Sequence, residues 1–238
     1  MAETLGYRPL YRQVRETLLR RIAEGRWAPG ETVPNEHALA LELGVSQGTV
    51  RKALDSLAAE NLVERRQGKG TTVAEVTPAR SLFKFFRIAR AGGERVTPKS
   101  DGASTRRRKA TREERAKLKL DARDLIVEIF RIRAVDGAPA IRERIVVPLG
   151  RFPDLDRRPI PNTIYALYQS GFGVNVVSAN EELKAAVATR EDAKALGVPA
   201  GSPLLEITRI AFDIDGKPIE LRLSRCDTRH LVYAVTLR

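Results

Sequence analysis

The stretch VPNEHALALELGVSQGTVRKALDSLAAENLVERRQGKGTTV, Val33 to Val73, decides the reading of the chain. With Glu36 as the first helical position, Leu39 and Leu43 point inward. Ala40 is the small residue where two helices cross, and Gly44 makes the turn. Ser46 is placed to cap the second helix. Val50, Ala53, Leu54 and Leu57 then fall at i, i+3, i+4 and i+7, one apolar stripe. Gly48, Arg51, Lys52 and Asp55 lie on the other side. Leu62 to Arg66 and Thr71 to Val73 read as short strands joined by the tight turn Gln67-Gly68-Lys69-Gly70. A helix-turn-helix followed in register by such a hairpin predicts a winged helix. Its second helix is built to enter a major groove, and its glycine-bearing wing to approach the DNA backbone, with Lys69 bringing charge.

The chain has 238 residues, enough for one or two domains, and its pattern changes near residue 75. No apolar run reaches the roughly 18 residues that would span a bilayer, so no membrane partner is expected. The N-terminus has no charged segment followed by an apolar core, and the single cysteine, Cys226, fits a reducing, cytoplasmic setting. The formal net charge is +12, yet residues 1–75 hold eleven basic against ten acidic side chains. Much of the excess lies between Arg80 and Lys109, with ten basic and two acidic residues. The motif therefore points to DNA and the bulk charge does not. The basic stretch reads either as extra phosphate contacts or as a solvated, loop-rich surface.

Before the motif, Pro9 opens a helix in which Leu10, Val14, Leu18 and Ile22 recur every four residues. After it, residues 76–80 read as a linker and Ser81 to Arg90 as an amphipathic helix. Thr111 to Leu120 reads as a charged helix with a capping box through Glu114. LIVEIFRIRAVDGAP, Leu125 to Pro139, is then nearly repeated by PLLEITRIAFDIDGKP, Pro203 to Pro218. Glu128 matches Glu206, Arg131 matches Arg209, and each copy predicts a hairpin about a DG turn. Between the copies lie a Pro-rich loop at 149–162, a helix from Thr163 to Gln169, a strand, and a helix from Arg190 to Leu196. The expected fold class is α+β, with an antiparallel sheet in the second domain.

Residues 1–75 resemble the winged-helix domain of GntR-family bacterial transcription regulators. The likeness rests on PLYRQVRETLLRRIAEGRWAPGE, on Pro34-Asn35-Glu36, on LGVSQGTVRKAL and on RRQGKGT. It implies DNA contacts at Glu36, Ser46, Thr49, Arg51 and Gly68. At His37 and Gln47 the position carries over and the chemistry changes, because the family usually has Arg at both. Residues 81–238 resemble the UTRA domain of the HutC branch, through RIR-x(4)-GAP, Glu143, TIYALY, GFGVNVVSANEEL, LGVPAGSPLLEITRIAFDIDGKPIE and Tyr233. That domain has a chorismate-lyase-like fold in which two hairpins build a sheet around a pocket. The usual Arg-Gly-Asp-Arg-Tyr ending is replaced by SRCDTRHLVY.

Arg131 and Arg133, two apart on a strand, share one face of the sheet and need an anion or acidic residues there. By resemblance they would hold the anionic end of an effector, together with Thr163 at a helix start. Glu143 and Glu220 would take hydroxyl or amine groups, and Arg222 and Tyr233 complete the expected site. No His/Cys/carboxylate cluster has metal-ligand spacing, and no nucleophile elbow, phosphate loop or dinucleotide fingerprint occurs. No cofactor is expected, and an enzyme is the competing reading. The reading is a homodimeric repressor that binds a palindromic operator on double-stranded DNA and is modulated by a sugar phosphate or small carboxylate.

Overall fold

The structure is a computed structural model that describes residues 9–59, 62–66, 68, 70–74, 85–100 and 102–236. The chain divides into two compact units, Met1–Val76 and Thr77–Arg238. Lys69, Gln67, the 76–80 linker and 81–84 lie outside the described residues.

In the first unit, helix α1 (Leu10–Ala23) starts after Pro9 and buries Val14, Leu18 and Leu19. Helices α2 (Glu36–Leu43) and α3 (Gln47–Ala59) form the helix-turn-helix. Asn35 caps α2 by accepting the Ala38 N–H at 2.8 Å. Gly44 closes it at φ 64°, a conformation in which a Cβ is strained. Val50, Ala53, Leu54 and Leu57 are the buried stripe of α3, and Leu39, Ala40 and Trp27 pack into the same core. Strands β2 (Val63–Arg66) and β3 (Gly70–Val73) make the wing. A short β1 (Thr32–Val33), not anticipated from the sequence, pairs with β3 and gives the sheet order β1-β3-β2.

The second unit is a seven-stranded antiparallel sheet. Its strands are β5 (Lys99–Ser100), β6 (Ser104–Lys109), β7 (Leu125–Val135), β8 (Ala138–Pro148), β9 (Ser178–Val187), β10 (Pro203–Phe212) and β11 (Pro218–Asp227). The order is β5-β7-β8-β11-β10-β9, with β6 also on β7. The two repeats are the β7–β8 and β10–β11 hairpins, set side by side. Helix α5 (Ile164–Phe172) covers one face, through Tyr165 and Tyr168 against Val127, Ile129, Ile145 and Val147. Helices α4 (Arg112–Leu118) and α6 (Arg190–Leu196) cover the other, through Leu118 on Ile126, Val146 and Leu221, and Leu196 on Leu204. Both carry capping boxes, Thr111 with Glu114 and Thr189 with Asp192.

Each hairpin carries one irregularity at the same place. In the first, Val135 faces Ala138 across the Asp136-Gly137 turn, but the register shifts between Arg133 and Ala134. In the second it shifts between Ala211 and Phe212. In both, a proline stands at the shift, Pro139 and Pro218, where the missing N–H cannot join the ladder. The shift brings Arg131 opposite Glu143; an unshifted ladder from this turn would place Arg131 opposite Arg142.

Two expectations are corrected. Ile88–Arg90 is strand β4, which pairs with β12 (Leu231–Tyr233), and only Phe85 of the described part of 81–90 is helical. Ile88–Arg90 is held extended by its partner strand, with Ile88 and Ala89 buried. The basic stretch is not loop-rich at its end either, since β6 is six residues of STRRRK. Its arginines are neutralised by acids far along the chain. Arg106 and Arg108 bind Glu128, Arg108 binds Glu114 at 2.6 Å, and Arg107 binds Asp156 at 2.6 Å.

Arg144 joins that cluster, so Glu114 and Glu128 sit almost fully buried among three arginines. Burial pushes both carboxyls up, but the hydrogen bonds from Arg108, Arg106 and Arg144 prevail and hold both at about 2. A carboxyl whose pKa falls on folding contributes stability above its unfolded value, and that stability is lost as pH falls through the folded one. The urea midpoint is therefore expected to be flat from pH 8 to about 5 and to fall steeply between about 4.5 and 2. In Glu128→Gln the fall should be shallower, as measured by chemical denaturation across that range.

Candidate nucleic-acid interface and ligand cleft

On the first unit, Glu36 at the start of α2 gathers the groups around it. Its Oε2 accepts from Arg51 Nε at 2.9 Å, and its Oε1 from Arg65 on the wing strand β2, which also binds Asp55. The Arg51 hydrogen bond keeps the Glu36 carboxyl below its usual range. Arg51 remains 57% exposed while Glu36 is at 13%, so the carboxylate aims a guanidinium that solvent can still reach. One residue thus fixes the first helix, the recognition helix and the wing. Ser46 Oγ accepts the Thr49 N–H at 3.2 Å and lies 2.8 Å from the Thr49 hydroxyl, which caps α3. His37, Gln47 and Gly48 are exposed. Gln47 approaches Glu36 only at 3.5 Å, too long to hold it. Lys52 lies over the Tyr11 ring at 4.5 Å. Gly68 turns the wing at φ 75° with open space around it.

On the second unit, the register shifts place a charged band across the middle of the face that α5 covers. Above it lie Ile141, Ile207 and Cys226, and below it Ile129, Ile145 and Val147. The band borders an open cleft on this face. Arg131, Arg133, Glu143, Thr163, Arg222 and Tyr233 all line it, so six of the seven expected residues meet. Glu220 does not. Its oxygens accept from Tyr165 at 2.9 Å, Tyr168 at 2.8 Å and Arg222 at 2.9 Å, leaving no capacity for a ligand. The expectation that it takes a hydroxyl or amine is corrected: it is a buried anchor for Arg222 and two tyrosines.

The two arginines expected to act as a pair differ. Arg131 Nε donates to Glu143 at 2.6 Å, and its Nη1 reaches the Asn162 carbonyl at 3.2 Å. Glu143 also takes Arg222 at 3.3 Å. Burial pushes the Glu143 carboxyl up, but Arg131, Arg222 and Arg133 together hold it far below the carboxylate range. Arg133, equally buried, meets no carboxylate. It donates to the Pro98 carbonyl and Asn162 Oδ1, both at 3.2 Å, and stacks on Phe86 at 5.3 Å. Its Nε is buried without a partner. Desolvation, reinforced by Arg131 and Arg222, lowers Arg133 to about 10. Beside it, Thr163 opens α5 without a capping hydrogen bond. A buried cation lacking a counter-ion at an uncapped helix start is a place where an anion gains most.

Arg209 and Glu181 also line the cleft and were not among the expected site residues. Arg209 binds Glu181 at 2.6 Å, and Glu181 takes the Tyr233 hydroxyl, so the divergent C-terminal segment supplies a cleft wall. The repeat carries the signal for Arg209, since it stands where Arg131 does in the first copy. Phe85, Phe86 and Tyr165 complete the aromatic floor.

The family comparisons agree with this layout. Residues 10–73 match the gntR family of bacterial regulatory proteins, and residues 93–231 match the UTRA domain. A Shigella flexneri protein described as a probable fructoselysine utilization operon transcriptional repressor is 31% identical over 95% of this chain and 93% of its own length. The mannosyl-D-glycerate transport/metabolism system repressor of Escherichia coli is 28% identical over 91% of this chain and 90% of its own. Among solved structures, the ligand-binding domain of a GntR-family regulator from Bordetella bronchiseptica has a TM-score of 0.59 at 30% identity, covering 65% of this chain and 98% of that one.

The difference between the two arginines is measurable. Arg131→Met leaves Glu143 short of its closest cation and should cost about 3 kcal/mol. Arg133→Met removes an unsatisfied buried group and should change stability by less than about 1 kcal/mol. Urea unfolding of both variants decides it, and equal losses would make Arg133 structural.

Proposed function

Because the chain belongs to the GntR family of bacterial transcription regulators and carries their UTRA domain, we propose that it is a cytoplasmic repressor released from a palindromic operator by a small anionic metabolite. It binds DNA as a homodimer, since one recognition helix reads too few base pairs for a unique site. The observation that carries the ligand reading is Arg133, buried in the cleft without a carboxylate and with an orphaned Nε. Phosphate and carboxylate both suit a guanidinium beside a helix start. The names of the two relatives refer to fructoselysine and mannosyl-D-glycerate, sugar conjugates that carry a carboxylate. A sugar bearing one anionic group fits that chemistry, with the anion on Arg133 and Thr163 and the hydroxyls toward Arg209 and Tyr233. Such a ligand acts by binding the DNA-incompetent arrangement better than the competent one. Domains 1–75 and 81–238 then divide the work into DNA binding and effector sensing. An enzymatic role has no support in the family or the relatives, and a shared fold brings no activity with it.

Thermal stabilisation across sugar phosphates and sugar carboxylates tests the ligand. A true ligand at one hundred times its dissociation constant adds about 2.7 kcal/mol of stability by mass action. Arg133→Met should abolish that gain while keeping operator affinity. If a compound with neither a phosphate nor a carboxylate stabilises the protein and releases DNA, the anion reading fails.

On the DNA side, Arg51→Ala should lose about 1–3 kcal/mol of specific binding if the contact is a bidentate base pair. Unchanged operator affinity in the folded variant would displace the docking face from α3.

A further inference from the structure

The sheet face opposite the cleft is only partly covered. Leu118 of α4 packs there on Ile126 of β7 and Val146 of β8. Side chains alternate along a strand, so Glu128, Phe130 and Ile132 stand on that same face, with Arg142 and Arg144 beside them. Helix α4 covers one end of the face. At the other, the first turn of α6 holds Arg142 through Glu191 and Asp192. Between the helices lies a depression with Phe130 on its floor and Arg106, Arg108, Arg142, Arg144 and Glu191 around it. It is continued by a hollow over Ile132 and Ser104.

Phe130 is half-buried, and in the ladder it stands opposite Arg144. The Arg106 guanidinium lies 5.5 Å from the centre of its ring. Three guanidiniums, of Arg106, Arg108 and Arg144, share two buried carboxylates, Glu114 and Glu128, which leaves positive charge in excess. Arg108 gives all three of its nitrogens to protein acceptors and by itself ties β6 to β7 and α4. The other two are only partly used. Arg106 donates through Nε alone, and Arg144 through Nε and Nη2. Among the described residues, neither Nη of Arg106 nor Nη1 of Arg144 donates a hydrogen bond, and the Arg106 side chain stays 63% exposed. An open ring face and two guanidinium edges, held on one rigid floor by buried carboxylates, are the two halves of a site for a flat anion. Its ring would stack on Phe130, and its charge would take the unused donors.

We propose that this depression is a second small-molecule site, for a planar aromatic group that carries a phosphate or a carboxylate. A nucleotide and a simple aromatic acid share that chemistry. The site is separate from the cleft yet built on the same hairpin. Arg131 and Glu143 stand on one face of β7 and β8, and Phe130 and Arg144, their chain neighbours, on the other. Ligands on the two faces therefore load the same two strands, and any coupling between them acts equally in both directions.

Isothermal titration of the full chain with adenosine monophosphate, phenyl phosphate and benzoate reads the site. At least one of the three should bind. Adenosine and inorganic phosphate, which each offer one half of the ligand, should bind at least about ten-fold more weakly. Adenosine monophosphate as the tightest of the three identifies a nucleotide, and either of the others an aromatic acid. Phe130→Leu keeps the apolar volume, loses the ring face and should raise the dissociation constant about ten-fold. Arg106→Gln should raise it by at least about as much. Its side chain is mostly exposed, so this variant carries the test if a thermal melt shows Phe130→Leu to be unfolded. Arg133→Met should bind these probes as the wild type does, because that residue stands on the other face. The proposal is overturned if none of the three binds, if inorganic phosphate binds as tightly as they do, or if Arg106→Gln leaves binding unchanged. Binding that disappears in Arg133→Met belongs to the cleft and overturns it too.

Discussion

The second unit depends on a one-residue shift in each of two hairpins. Pro139 and Pro218 cannot donate to the ladder, and at each the register slips by one. That slip sets Arg131 against Glu143 and Arg209 against Arg222. Without it, Arg131 would face Arg142 and Arg209 would face Leu221 in the middle of a sheet covered by α5. A buried charge is tolerated only when it is paired and hydrogen-bonded. The bulges are therefore a condition for having a charged band, and so a polar cleft, inside this fold.

The duplication also explains why the cleft is lopsided. In the first hairpin the guanidinium is opposite a carboxylate. In the second, Arg209 is opposite Arg222, and like charges directly across a ladder repel. The second copy resolves this sideways, with Arg209 turning to Glu181 on β9 and Arg222 to Glu220 and Glu143. Every one of these carboxylates is thereby spent on a protein cation. Arg133 has no counterpart in the second copy, where Ala211 stands, and none of the carboxylates reaches it. The surplus cation follows from an imperfect repeat.

How much of this was legible in the sequence depended on the range of the interactions. The helix-turn-helix is local: Asn35, Gly44, Ser46 and the stripe from Val50 to Leu57 fix one another within a few turns. Both capping boxes were within four residues and easy to read at Thr111. The strand β6 was not legible, because STRRRK carries no apolar alternation. Its stability comes from Glu114, Glu128 and Asp156, which are 6 to 49 residues away in the pairs concerned. Alternation correctly put Arg131 and Arg133 on one face but could not separate them, since the separation lies in the bulge. Glu220 was misread for the same reason. Its partners Tyr165 and Tyr168 come from a helix 52 residues or more earlier in the chain.

A comparable division of labour appears in the first unit, where Glu36 neutralises two guanidiniums beside a face meant for an anionic duplex. A carboxylate there opposes phosphate binding, so its presence needs a reason. Arg51 and Arg65 left unpaired would add charge that any DNA attracts equally. Held by Glu36, Arg51 keeps one defined direction and still exposes 57% of its side chain. On the proposed reading, binding would then favour a duplex that offers a better partner in that direction, a base edge with two acceptors, over one that offers only charge. The near-balance of acidic and basic residues over 1–75 is consistent with the same principle. On the proposed reading, this domain would gain specificity by restraining its cations, whereas the cleft would gain it by holding one cation, Arg133, away from any carboxylate.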